Sequence, residues 1–229
     1  MKDLSVNADR TQPAIAHGFR EPWRPSPEPG VDRRVLERIG GEVALASSIV
    51  RYRPGSRFAQ HTHELGEEFL VLDGIFSDEF GHYPAGTYVR NAPGSRHAPF
   101  SESGCVIFVK LRQMDPADRI SLRVFPDERV WRPTRSHGHE RATLFDAGGV
   151  TIDLEQLAPG VTVPSRRIPG GEEVFVVEGR IRVGDAARTI LDSWGWMRRA
   201  DGRAPRYLTP HGALLWIKRG HLAGKVRTL

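Results

Sequence analysis

Residues 54–74 read PGSRFAQHTHELGEEFLVLDG, and within them His61 and His63 stand one residue apart in a run of strand character. Side chains at i and i+2 of a β-strand project to one face, so both imidazoles point the same way. Glu67 follows four residues after His63, past Gly66, and His97 arrives beyond a turn-rich excursion that can bring a second strand back beside the first. Three imidazoles and one carboxylate form a donor set for a divalent transition metal. Ligand type alone leaves zinc, iron, manganese, nickel and copper open.

Outward from this stretch the texture stays the same. The segments VALASSIVRYR (43–53), EEFLVLDG (67–74), GTYVRNAPG (86–94) and CVIFVKL (105–111) are of strand length, rich in Val, Ile, Phe and Tyr, and bounded by turn residues. Such spacing predicts an antiparallel sandwich or barrel. The pattern then recurs: PGVTVPSRRIPGGEEVFVVEG (159–179) aligns with 54–74, matching Gly55 with Gly160, Glu67 with Glu172 and Gly74 with Gly179, each 105 residues apart. Gly86 pairs with Gly195, and CVIFVK (105–110) pairs with ALLWIK (213–218). A repeat of this size is a duplicated domain rather than a solenoid unit.

The expected organisation is an extended N-terminal arm over 1–41, a metal-binding β-domain over 42–113, a linker over 114–140 and a second β-domain without metal over 141–229. Four prolines in EPWRPSPEPGV (21–31) argue for an arm with Trp23 exposed. VDRRVLERIGG (31–41) predicts a short turn of helix ended by Gly40 and Gly41.

Composition excludes several classes. The chain has 229 residues, 39% of them hydrophobic, which is compatible with a normal core. It contains no long apolar run and no apolar leader segment near residue 1, so neither a membrane partner nor secretion is expected, and a cytoplasmic location is. Cys105 is the single cysteine and cannot form an intrachain disulfide. The formal charge of +5 comes from arginines interspersed with acids, with no basic block or aromatic-basic stripe, so no nucleic-acid partner is expected.

The motif residues carry a family resemblance. Gly55, His61, His63, Glu67 and Gly74, followed by Gly86, Gly94 and His97, match the two cupin motifs, although Ala92 and Ser101 stand where that pattern usually has Pro and Asn. More narrowly, residues 66–111 look like the cupin-like domain of ChrR-type anti-sigma factors, in segments such as SDE, YPAG and FVK. The resemblance implies an all-β fold of tandem double-stranded β-helix (cupin, jelly-roll) barrels. It also implies His61, His63, Glu67 and His97 as ligands of one divalent transition metal, with zinc first and iron, manganese or nickel as alternatives.

In the second domain the alignment puts Arg166 and Ile168 at the first two histidines and Arg206 near the last, while Glu172 is retained. Arginine stays protonated and does not ligate metals, so this barrel is expected to be metal-free. Either Glu172 pairs with the arginines in a vestigial cavity, or Arg166 and Arg206 bind a small anion; the first is favoured. SHGHE (136–140) is read as a solvated loop. Tyr88 and Phe100 are open between cavity lining and packing, and Cys105 is read as a buried thiol.

The functional expectation is a metal-binding regulatory protein responsive to a small molecule or to oxidative stress. The alternative is a metal-dependent enzyme, a dioxygenase, isomerase or hydrolase, acting on a small organic substrate. Residues 1–41 contain no His/Cys zinc cluster, so direct sigma-factor binding is not expected, whereas a homodimer is compatible with the exposed sheet edges.

Overall fold

A computed structural model describes residues 4–41, 43–184, 189–200 and 202–222. The expected domain edges at residues 1, 42 and 229 lie outside them. The described residues are almost entirely strand, with one 3-10 turn at Pro126–Glu128 and two ten-stranded antiparallel sheets. The expected all-β architecture with two repeated units is therefore present.

In the first unit the long strand Glu67–Asp78 pairs with Cys105–Leu111 on one side and Tyr88–Asn91 on the other, and the sheet continues through Leu45–Tyr52 to Val31–Ile39. Along Glu67–Asp78 the period of two puts Glu67, Phe69 and Val71 on one face. Phe69 and Val71 join Tyr52, Phe76, Tyr83, Val89 and Ile107 in the core. Glu67 therefore enters from the apolar side of its strand.

The second unit repeats the frame. Glu172–Val183 takes the place of Glu67–Asp78, flanked by Ala213–Arg219 and Gly195–Arg199. Both long strands carry a bulge at the same point, since Leu72 and Val177 are each skipped in the pairing with the neighbouring strand. The motif glycine after each bulge has φ near +70° or +86°, and a Cβ would meet a backbone carbonyl at 2.1 Å in Gly74 and 2.3 Å in Gly179. Only glycine fits there.

The unit boundaries differ from the expected ones. Residues 21–128 belong to the first unit together with 1–8, and 129–229 to the second together with 9–20. The stretch read as an arm holds strands instead: Ala14–His17 pairs with Gly195–Arg199 in the second unit, and Arg24–Pro25 pairs with Val31–Ile39 in the first. Trp23 is half-buried, with the guanidinium carbons of Arg34 and Arg51 at 4.3 and 4.4 Å from its ring.

The helical turn expected over 31–41 is the strand Val31–Ile39. A bulge at Leu36 breaks its alternation, so Val31, Val35, Leu36 and Ile39 fall at intervals that imitate a helical period. The expected linker is also divided: Leu122–Val124 pairs with Tyr88–Asn91 in the first unit, and Arg132–Pro133 pairs with His139–Ala147 in the second. Among the described residues, no helix is long and apolar enough to cross a membrane.

Candidate metal centre

Strands His61–His63 and Ser95–His97 form a two-stranded ribbon in which His61 faces His97 and His63 faces Ser95. Alternation puts all three histidines on one face of the ribbon. Their donor nitrogens lie within 4.8 Å of one another, and the three ring centroids are 4.8 to 5.1 Å apart. Glu67 closes the cluster, with Oε2 at 3.4 Å from both His63 Nε2 and His97 Nε2. Two donors each about 2.1 Å from a tetrahedral metal stand about 3.4 Å apart, so this spacing suits a shared ion.

The free nitrogens fit the same reading. The Nε2 atoms of His63 and His97 are buried with no hydrogen-bond partner. Such orphans are costly unless something else satisfies them. His61 Nδ1 lies 2.8 Å from the Ala59 carbonyl, which only accepts, so Nδ1 carries the proton and Nε2 is left as the donor to a metal. His97 Nδ1 lies 3.1 Å from Asp78 Oδ2, and Asp78 Oδ1 accepts from Tyr83 Oη and from the Phe80 amide, each at 2.9 Å. A carboxylate behind a ligating imidazole fixes its tautomer and raises its basicity.

Charge is preset in the same direction at Glu67 and His63, and in the opposite one at His97. Burial would raise the Glu67 carboxyl, but the imidazoles of His63 and His97 and the Asn91 amide, whose Nδ2 donates to Oε2 at 3.1 Å, hold it below its ordinary value. Burial lowers His63, with His97 and His61 adding to the effect. Burial also opposes protonation of His97, but the bond to Asp78 and the charge of Glu67 raise it overall. A charged carboxylate and a neutral His63 are the protonation states that a metal requires.

All four predicted donors are thus brought together, with Phe58 at 4.9 Å from the His61 ring and Phe76 at 6.0 Å from that of His97 as apolar walls. Asp78 and Asn91 were not singled out from the sequence. They sit 19 and 6 residues from His97, and no local spacing ties them to it. Tyr88 does not line this face: its hydroxyl donates to Glu68 Oε2 at 2.9 Å on the opposite side of the strand. Phe100 stacks instead against Arg57 at 5.0 Å. Cys105 is buried in the core, and burial pushes its thiol up to about 11.

The second unit has a ribbon of the same kind, Arg166–Ile168 with Gly202–Ala204. Arg166 faces Ala204 where His61 faces His97, so Ala204, not Arg206, stands at the third histidine position. Ile168 and Ala204 join the hydrophobic core. Glu172 accepts from Arg166 and Tyr207 and, at 2.9 Å, from Arg219 Nε. Arg219 also reaches Asp153 at 2.8 Å and Glu155 at 2.7 Å. The loop reading of SHGHE fails for His139, which is buried with Nε2 at 2.9 Å from Glu155.

Residues 11–115 match the ChrR cupin-like domain family. The match spans 105 of the 229 residues, so the similarity to that family covers somewhat less than half of the chain. Among curated proteins, none matches the sequence. Among solved structures, the cupin-fold chain is similar to a candidate glyoxylate-induced protein from Pseudomonas aeruginosa, with a TM-score of 0.72 and 12% identity over 100% of this chain and 94% of that one. It is similar to a candidate dioxygenase from Nostoc punctiforme, with a TM-score of 0.68 and 14% identity over 99% and 85%. An oxalate decarboxylase from Lactobacillus farciminis gives a TM-score of 0.64 and 10% identity over 95% and 88%. At these identities the likeness shows the fold.

Proposed function

We propose that the first cupin unit holds one divalent transition metal, zinc before iron, manganese or nickel, and presents it to a small molecule as a sensing or regulatory centre. The observation that carries this reading is the pair of buried, unpartnered Nε2 atoms of His63 and His97, both 3.4 Å from Glu67 Oε2. A bound metal would supply a charged coordination position at which a small ligand or oxidant can add. The protein's own part is to hold His61 and His97 in one tautomer, to keep Glu67 charged, and to surround the cluster with Phe58 and Phe76.

Sensing is preferred to acid–base catalysis because the nearby carboxylates are committed. Glu67 faces His63, His97 and Asn91, and Glu68 accepts from Tyr88 on the other side of the strand. The second reading, a metal-dependent enzyme on a small organic substrate, is supported by the half-exposed His61, which leaves the cluster reachable from one side. Relatives of the fold named as a dioxygenase and an oxalate decarboxylase agree with that chemistry. Sigma-factor capture, nucleic-acid binding and a membrane role are not part of this proposal.

Elemental analysis of anaerobically purified protein separates the readings. Zinc at one per chain without turnover supports the sensor. Iron at that stoichiometry with oxygen uptake on small organic acids supports the enzyme. A folded protein that takes up no metal overturns both.

A further inference from the structure

Behind the metal-ligand ribbon lies a second concavity of about 650 Å³. Thr62 and Arg96 pair across the ribbon, and alternation turns them away from the histidines. Both are exposed. Arg123, on Leu122–Val124, lines the opposite wall, and Phe80 and Asn91 complete it. No carboxylate lines this space.

Its two arginines stand ready for an anion. The Arg96 side chain has no hydrogen-bond or ion-pair partner among the described residues. Arg123 uses Nε to reach Tyr83 Oη at 3.1 Å, and its guanidinium carbon lies 5.8 Å from the Phe80 ring. Ser95 also borders this space. Phe80 is 65% exposed and borders this space.

We infer that this concavity binds a small organic carboxylate with a flat apolar body, its carboxylate on Arg96 and Arg123 and its body on Phe80. Guanidinium groups recognise carboxylates through paired N–H donors, and an aromatic face next to them suits a flat hydrocarbon. The volume is in the range of small-ligand sites, and the concavity is open to solvent on one side. Asn91 joins the two sites: it lines this space and donates to the metal carboxylate Glu67. Occupancy here therefore changes metal affinity, and metal changes carboxylate affinity by the same factor. This coupling rests on the metal reading above, whereas the carboxylate site does not.

The test is calorimetric titration of the full chain with benzoate, and with benzamide as the uncharged shape. Saturable benzoate binding is expected, about tenfold or more weaker in Arg96→Gln and in Arg123→Lys, which lacks the planar fork. Benzamide should bind at least as weakly as benzoate does to these variants. Equal affinity for benzoate in wild type and both variants, equal affinity for benzamide and benzoate, or no saturable heat with benzoate overturns the inference. Arg96 is exposed and unpaired, so its replacement leaves folding intact. The variant His61→Ala/His97→Ala separates the two readings: it should lose metal and keep benzoate binding, and loss of benzoate binding in this folded variant overturns the separate carboxylate site.

Discussion

Arg219 donates from Nε to Glu172 Oε2 at 2.9 Å, and it does so from the register position that Leu111 occupies opposite Glu67 in the first unit. Glu172 is thus the acceptor of an ion-pair network, whereas Glu67 at the matching position faces His63 and His97. The same guanidinium neutralises Asp153 and Glu155.

Arg219→Leu would remove the cation shared by three buried carboxylates, leaving Glu172 with Arg166 and Tyr207, Glu155 with His139, and Asp153 with Thr143. Removing one partner of a buried charge network costs about 3–5 kcal/mol. Urea denaturation should show this loss in the second unit. Metal content should not rise, because Arg166, Ile168 and Ala204 still occupy the histidine positions.

In the first unit, His97→Ala should remove most of the bound metal. Chelation of the wild-type protein should remove the linkage stabilisation, about 2.7 kcal/mol for a metal at a hundred times its Kd, and so lower its melting temperature. Differential scanning calorimetry with and without chelator reads the difference. The variant should show none.

Asp78→Asn keeps the size of the side chain and removes the charge behind His97. Loss of such an outer partner lowers metal affinity about 10–100-fold. Competition with a chromophoric chelator measures it. An unchanged affinity would mean that Asp78 serves only Tyr83 and Phe80.

Acid should weaken the second unit through Glu155. Burial would raise its carboxyl, but the bond to His139 and the charge of Arg219 hold it far below the ordinary glutamate value of 4.5. A depressed carboxyl contributes stability that is fully present above its unfolded value and is lost as pH falls below it toward the folded value. Asp153, raised chiefly by burial, acts in the opposite sense. Denaturation midpoints should therefore fall more steeply below about pH 4.5 in wild type than in Glu155→Gln.

Cys105 should resist modification in the native state. It is 3% exposed, and its thiol is raised by burial to about 11. Alkylation by iodoacetamide at pH 8 should follow the unfolding rate rather than the intrinsic thiol rate. Fast native labelling would return Cys105 to consideration as a redox group.

The chain by itself determined the repeat, the strands around each motif, and the donor set His61, His63, Glu67 and His97. These are local facts: period-two alternation, glycines where φ must be positive, and ligands spaced along two adjacent strands. Strand pairing between distant segments decided the rest. It placed Ala204 opposite Arg166, sent Ala14–His17 to the second unit, and carried Asp78 to His97 and Asn91 to Glu67. It also buried His139 against Glu155 and turned the helix-like spacing of Val31–Ile39 into a bulged strand. Register across a sheet is set by packing of whole faces, and a bulge or one inserted loop residue shifts it without leaving a mark in local spacing.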